Sequence, residues 1–131
     1  MSRKKILLVD DSNTILMMEK FILRNGPYEL VTASNGEEGV RKAAEHQPDL
    51  ILLDVIMPKM GGFEACRLIR SSEETKSIPI IMVTTRGEAA NVEAGWANGC
   101  TDYVTKPINA VELLAKVRSF LAEPAAEAVA Q

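Results

Sequence analysis

Three aspartates, a threonine and a lysine stand where short apolar runs end. Asp10-Asp11 closes the run Ile6-Leu7-Leu8-Val9, and Asp54 closes Leu50-Ile51-Leu52-Leu53. Thr84 follows the run that ends at Val83, and Lys106 follows Tyr103-Val104-Thr105. If the segments carrying them are neighbours, these groups meet at one rim. Three carboxylates packed together repel, so some must protonate or take up a cation. Oxygen-only ligands suit Mg²⁺, which is usually held by a few carboxylates with water and phosphate. A lysine and a hydroxyl opposite such an ion make a pocket for a doubly charged, three-oxygen group. The chemistry open to this set is phosphoryl transfer, with a carboxylate as nucleophile.

The elements that must position these groups can be read from the pattern. Short apolar runs rich in branched residues are strands buried on both faces. The pattern predicts strands over residues 5–9, 29–33, 50–54, 78–83 and 102–105. Helices are predicted over 12–25, 34–46 and 63–71, somewhere within 87–98, and from 109 to 121. Ser12 is an N-cap for the first helix, whose apolar stripe is expected at Ile15, Met18 and Ile22. Ser34 and Glu37 have capping-box spacing. So do Asn109 and Glu112, with Ile108 and Leu113 as the staple. Phe63, Cys66 and Ile69 are the expected buried stripe of the third helix. Gly95, inside the fourth helix, costs about 1 kcal/mol relative to Ala. Strand and helix alternate throughout, which argues for a parallel sheet covered on both faces. In such folds the functional crevice lies at the carboxyl ends of the strands.

Size and composition narrow the class. A chain of 131 residues is expected to form one domain with a real core. Net charge is −3 without a basic cluster, so nothing points to nucleic acid. No apolar run approaches the ~20 residues of a membrane span. The basic start, Met1-Ser2-Arg3-Lys4-Lys5, is not a signal peptide, because its apolar run stops at Asp10-Asp11. Cys66 and Cys100 lack metal or disulfide spacing and are expected to be small buried hydrophobes. A reducing, cytoplasmic setting follows as the default. Met17, Met18, Met57, Met60 and Met82 are expected to pack rather than bind metal. His46 is expected to lie exposed and away from the site, and Glu73-Glu74 in a solvated loop.

With these motifs in order, the sequence resembles the receiver domain of two-component response regulators, the family typified by the chemotaxis protein CheY. The resemblance rests on Leu8-Val9-Asp10-Asp11-Ser12, Leu52-Leu53-Asp54-Val55-Ile56-Met57-Pro58, Val83-Thr84 and Asp102-Tyr103-Val104-Thr105-Lys106-Pro107. Each motif alone is weak, and all of them in this order are specific. They assign a receiver domain to residues 4–121 and leave an Ala-rich tail, 122–131, that is expected to fray.

The resemblance implies an α/β fold: a doubly wound, flavodoxin-like parallel sheet of order 2-1-3-4-5 flanked by helices. It implies that Asp54 accepts a phosphoryl group from a histidine kinase or histidine phosphotransfer protein. Mg²⁺ would be ligated by Asp11, Asp54 and the Ile56 backbone carbonyl, with Asp10 acting through a water. Lys106 would pair with Asp54 and then with the phosphate, across a cis Lys106-Pro107 bond. Thr84 would swing toward the phosphate, and Tyr103 would turn inward behind it. The output face would lie on helix four, strand five and helix five, with Val92, Trp96 and Tyr103 meeting a downstream protein. Trp96 has an equal claim to being core packing. Gly87, Gly95 and Gly99 loosen this segment.

Gly61 departs from the commonest family pattern, where Asp is frequent. Thr85 stands where Ala or Gly is frequent, and Ile56 where some members are polar. The last two bear on dephosphorylation rate rather than on the chemistry itself.

Rival readings fit less well. Asp10-Asp11 alone would be ordinary helix-capping acids, but Asp54, Thr84 and Lys106 fall in register with them. An FMN binder of this architecture would need a Ser/Thr-rich first loop, and two acids would repel its phosphate. Aspartyl-phosphate hydrolases usually carry Asp-x-Asp, not adjacent acids. The expected protein is a switch that catalyses its own modification, not an enzyme turning over substrate. The alternatives are a binding module that signals without phosphorylation and a receiver fragment of a larger regulator. If the chain is full length, a stand-alone regulator acting through protein contacts is expected; otherwise the tail would begin a linker. Chemotaxis, pilus motility and phosphorelay shuttling all suit it.

Overall fold

A computed structural model describes residues 3–85 and 89–121, with side chains at 3–84 and 93–121. The expectations placed on the 122–131 tail, on Gly87, and on the Thr85 and Val92 side chains lie outside the described residues.

Strands β1 (Lys4–Val9), β2 (Tyr28–Ala33), β3 (Leu50–Asp54), β4 (Ile80–Thr85) and β5 (Asp102–Lys106) form one sheet. Its order is β2-β1-β3-β4-β5 and every pairing is parallel. Helices α1 (Asn13–Leu23), α2 (Gly36–His46), α3 (Gly62–Arg70), α4 (Ala89–Ala97) and α5 (Ala110–Leu121) alternate with the strands. This is the flavodoxin-like, doubly wound architecture that the sequence implied. Among the described residues, no helix is long and apolar enough to cross a membrane.

The central strands are apolar at successive positions because both of their faces are covered. Leu7, Val9, Ile51, Leu53, Ile80 and Met82 pack on one side with Ala43 of α2 and Ala65, Cys66 and Ile69 of α3. Ile6, Leu8, Leu50, Leu52, Ile81 and Val83 pack on the other with Leu16 and Leu23 of α1 and Leu113 and Val117 of α5. The alternation is the two-residue period of a strand. Each such Leu or Ile contributes roughly 1.5–3 kcal/mol when fully buried. Cys66 and Cys100 are buried as free thiols, as expected.

Local expectations shift by one residue in two places. The fully buried face of α1 is Leu16, Glu19 and Leu23 rather than Ile15, Met18 and Ile22, of which Ile22 is partly buried against the core. Apolar residues occupy both phases of this helix, so periodicity could not choose between them. Met17 and Phe21 are consequently exposed, and Met18 partly so. The capping box of α2 also moves. Asn35 is the N-cap and accepts the Glu38 N–H, while the Glu38 carboxylate accepts the Ser34 N–H at 2.7 Å. At α5, Asn109 Oδ1 accepts the Glu112 N–H as the spacing required. Met57 and Met82 are core residues, so the packing expectation holds for them and fails for Met17.

Gly95 has a packing reason inside α4. A Cβ there would lie 3.1 Å from Cys100 Sγ and 3.5 Å from Met82 Cγ. The helix approaches β4 closely because residue 95 has no side chain.

Candidate functional site

Register brings the polar groups together. Val9 pairs with Leu53, so Asp10 stands level with Asp54, the last residue of β3. Thr84 pairs with Thr105, and Thr85 with Lys106, one and two steps further along. Asp10, Asp11, Asp54, Thr84 and Lys106 all line one cleft of about 140 Å³ at the carboxyl edge of the sheet. Ile56, 71% exposed, stands on its rim.

Lys106 lies between two of the acids. Its Nζ is 3.0 Å from Asp54 Oδ1 and 3.6 Å from Asp10 Oδ2. Asp10 is also held by the Ser12 N–H, which donates to its Oδ1 at 2.9 Å. Ser12 in turn caps α1, accepting the Ile15 N–H. The turn from β1 into α1 therefore fixes Asp10, while Asp11 next to it stays exposed.

Burial raises the Asp10 carboxyl above its usual range, and the charge of Asp11 adds to this against the pull of Ser12 and Lys106. Asp54 is also raised, first by burial and then by the charge of Asp10, with Lys106 opposing. For Lys106, burial works against the ammonium, but the hydrogen bond and charge of Asp54, followed by Asp10, outweigh it and raise its pKa. One ammonium does not balance three carboxylates.

A divalent cation fits that imbalance. Carboxylate oxygens of Asp10, Asp11 and Asp54 lie within 4.8 Å of one another. An all-oxygen donor set of this kind suits Mg²⁺.

The start of α3 packs against the end of β3. Gly62 donates its N–H to Val55 O at 2.8 Å. A Cβ on Gly62 would sit 2.2 Å from the Asp54 carbonyl oxygen. Gly61 is the N-cap of α3 and supplies no side-chain hydrogen bond there. The Lys106-Pro107 bond is cis.

Tyr103, the expected switch aromatic, and Trp96, expected on the partner face, do not line the cleft. Tyr103 is partly exposed on β5, with the Trp96 ring edge-on at 6.3 Å and Lys116 Nζ 5.2 Å from its ring centroid. Lys116 also donates to Tyr103 O and Asp102 Oδ1. Trp96 is 48% exposed, which favours the surface reading over core packing.

One residue was missed. Glu19 is 1% exposed on the core face of α1, and burial pushes its carboxyl up to about 8. The available signal was a single acid inside the apolar run Ile15-Leu16-Met17-Met18-Glu19.

Comparisons with known proteins agree with this geometry. The model of the response regulator receiver domain matches residues 6–118. The alkaline phosphatase synthesis transcriptional regulatory protein PhoP of Bacillus subtilis is 40% identical over 118 residues, 90% of this chain and 48% of that protein. The chain thus spans about half the length of PhoP and of several other curated relatives it matches. The chemotaxis response regulator CheY4 of Vibrio cholerae superposes with a TM-score of 0.85 at 37% identity, covering 92% of this chain and 100% of that one. The receiver domain of a Pseudomonas aeruginosa sensor histidine kinase, solved with magnesium in its active-site cleft, superposes with a TM-score of 0.85. It is 29% identical, and the match covers 93% of this chain and 100% of that one.

Proposed function

This chain belongs to the response regulator receiver family, and on that premise we propose that it is a phosphorylation-driven protein switch with Asp54 as phosphoacceptor. The observation that carries the reading is Lys106 Nζ, 3.0 Å from Asp54 Oδ1 inside a cluster of three acids. A carboxylate oxygen of Asp54 attacks phosphorus, the P–N bond to a donor phosphohistidine breaks, and the imidazole leaves. Lys106, already beside Asp54, follows the charge onto the new phosphoryl oxygens. The Thr84 hydroxyl, at the same rim, donates to one of them. Asp11, Asp54 and the Ile56 carbonyl would hold Mg²⁺, with Asp10 acting through water. The ion, when bound, supplies charge neutralisation for the transferring group.

The switch needs enough energy to matter. Moving a two-state surface from 1:99 to 99:1 takes about 5.5 kcal/mol of differential interaction. Charge-assisted hydrogen bonds contribute about 1.5–3 kcal/mol each, so about two to four new ones at the phosphoryl group suffice. The surface biased in this way is α4, β5 and α5, where Trp96 and Tyr103 meet a downstream protein. The chain promotes its own phosphorylation and dephosphorylation and turns over no other substrate.

Trapping the acyl phosphate by borohydride reduction, followed by peptide mapping, tests the acceptor. The reading expects the modification on the peptide bearing Asp54. Modification confined to another acid contradicts it.

A second organisation has an observation in its favour. The match to PhoP covers 48% of that protein, which suits a receiver module that governs a separate output domain.

A further inference from the structure

The loop over residues 55–61, between β3 and α3, is held at both ends. At its start, Val55 O accepts the Gly62 N–H at 2.8 Å. Near its end, Met60 O accepts the N–H of Gly36, the first residue of α2, at 3.0 Å. Gly36 is buried. A Cβ there would collide with the same Met60 oxygen and lie 2.9 Å from its carbonyl carbon. The backbone of Gly36 is not left-handed, as that of Gly99 is, so close approach alone calls for glycine. The turn that Gly36 holds is an unusual one. The Met60 N–H donates back to Pro58 O at 2.7 Å, and Lys59 between them has a φ of 68°. Three-residue turns with a positive central φ are rare and strained. A residue with a side chain keeps such a conformation only where its surroundings fix it. The same loop lines the cleft with Val55 and Ile56, directly after Asp54, whereas no residue of α2 does. The start of α2 therefore reaches the cleft through the loop alone.

We propose that Gly36 is a positioning residue of the phosphoryl site: by seating α2 on the turn at 58–60, it fixes the loop that presents Ile56 to the cation. The inference rests on the reading of Asp54 as phosphoacceptor and of the Ile56 carbonyl as a Mg²⁺ ligand. Gly36 touches neither phosphoryl group nor ion. Its N–H and its bare Cα act on Met60, and Met60 on the loop. Met60 also packs on the core cluster that holds Val55, Met57 and Ala43 of α2, so a shift at 60 is passed along the loop. Groups that orient metal ligands from behind typically alter metal affinity by about 10–100-fold when removed.

Calorimetric Mg²⁺ titration of wild type, Gly36→Ala and Gly26→Ala tests this, together with amide hydrogen exchange on wild type. Gly36→Ala pushes α2 off the turn and is expected to weaken Mg²⁺ binding about tenfold. Gly26→Ala crowds the Tyr28 ring at the opposite edge of the sheet and is expected to leave Mg²⁺ binding at the wild-type value. Coupling between two sites is reciprocal, so saturating Mg²⁺ is expected to slow exchange of the wild-type Gly36 N–H, also about tenfold. That measurement needs no variant to fold. The Gly26 N–H, bonded to Leu23 O, is expected to exchange at the same rate with and without Mg²⁺. Mg²⁺ binding as tight in Gly36→Ala as in wild type overturns the inference. So does a Gly26→Ala variant weakened as much as Gly36→Ala, or a Gly36 N–H whose exchange is indifferent to bound Mg²⁺. A wild type that binds no Mg²⁺ defeats the underlying reading, and this inference with it.

Discussion

Lys106 Nζ reaches Asp54 Oδ1 at 3.0 Å from a strand two places away in the sheet. Fifty-two positions separate the two residues in the chain. Parallel order alone makes them neighbours, because β3, β4 and β5 end at the same edge. The ammonium is the only cation on this cleft among the described residues that line it.

Replacing that cation exposes its role. Lys106→Met is expected to slow phosphorylation by acetyl phosphate at least ~100-fold, the usual effect of removing one oriented charge from a reacting group. Stopped-flow measurement at saturating Mg²⁺ checks this. A rate within a few fold of wild type would remove Lys106 from the chemistry.

Gly62→Ala tests how closely α3 supports Asp54. The new methyl group would meet the Asp54 carbonyl oxygen at 2.2 Å, and backbone must move to relieve it. Overpacking of this kind costs about 1–3 kcal/mol. Denaturant unfolding is expected to show that loss, accompanied by slower phosphorylation. A variant as stable and as reactive as wild type would show that the loop after β3 adjusts freely.

Glu19 sets a pH dependence of stability. Its carboxyl is pushed up to about 8 from 4.5, first by burial and then by the charge of Asp10. The folded chain therefore holds this proton over a range where the unfolded chain has released it. The contribution is complete below about 4.5 and is lost as pH rises through about 8. The slope from this one group is at most ~1.4 kcal/mol per pH unit. Asp10 and Asp54, also raised, push in the same direction, so Glu19→Gln is the control. Tm measured across that range is expected to fall more steeply in wild type than in Glu19→Gln. Parallel curves would contradict the assignment.

Trp96 provides an optical readout of the switch. Its ring meets Tyr103 edge-on at 6.3 Å, and it is half exposed. Movement of Tyr103 toward Thr84 would change that contact. Trp96 emission is expected to shift when the protein is phosphorylated, and the shift is expected to vanish in Tyr103→Leu. An unchanged emission would mean that Tyr103 stays where it is.

The parts of this site legible in sequence were those set by strand ends. A two-faced strand must be apolar until it leaves the sheet, so the first polar residues mark the rim. Asp10, Asp54, Thr84 and Lys106 follow that rule, and the structure brings them to one cleft. The phase of α1 was not legible, because residues 15–18 and 21–23 are apolar in a block and no periodic gap marks one face. Glu19 was hidden for the same reason. The Asn35 cap was missed because Ser34, Asn35, Glu37 and Glu38 offer two overlapping boxes. Only the path of the chain out of β2 decides between them.

The central claim is that Asp54 takes a phosphoryl group in a reaction that needs Mg²⁺. Intact mass after incubation with acetyl phosphate tests it most directly, on wild type and Asp54→Asn, with Mg²⁺ and with EDTA. The account predicts the gain of one phosphoryl group by wild type with Mg²⁺ and by none of the other three samples. A gain by Asp54→Asn equal to that of wild type, or a wild type that stays unmodified with Mg²⁺ even when a phosphohistidine donor is supplied, would contradict it.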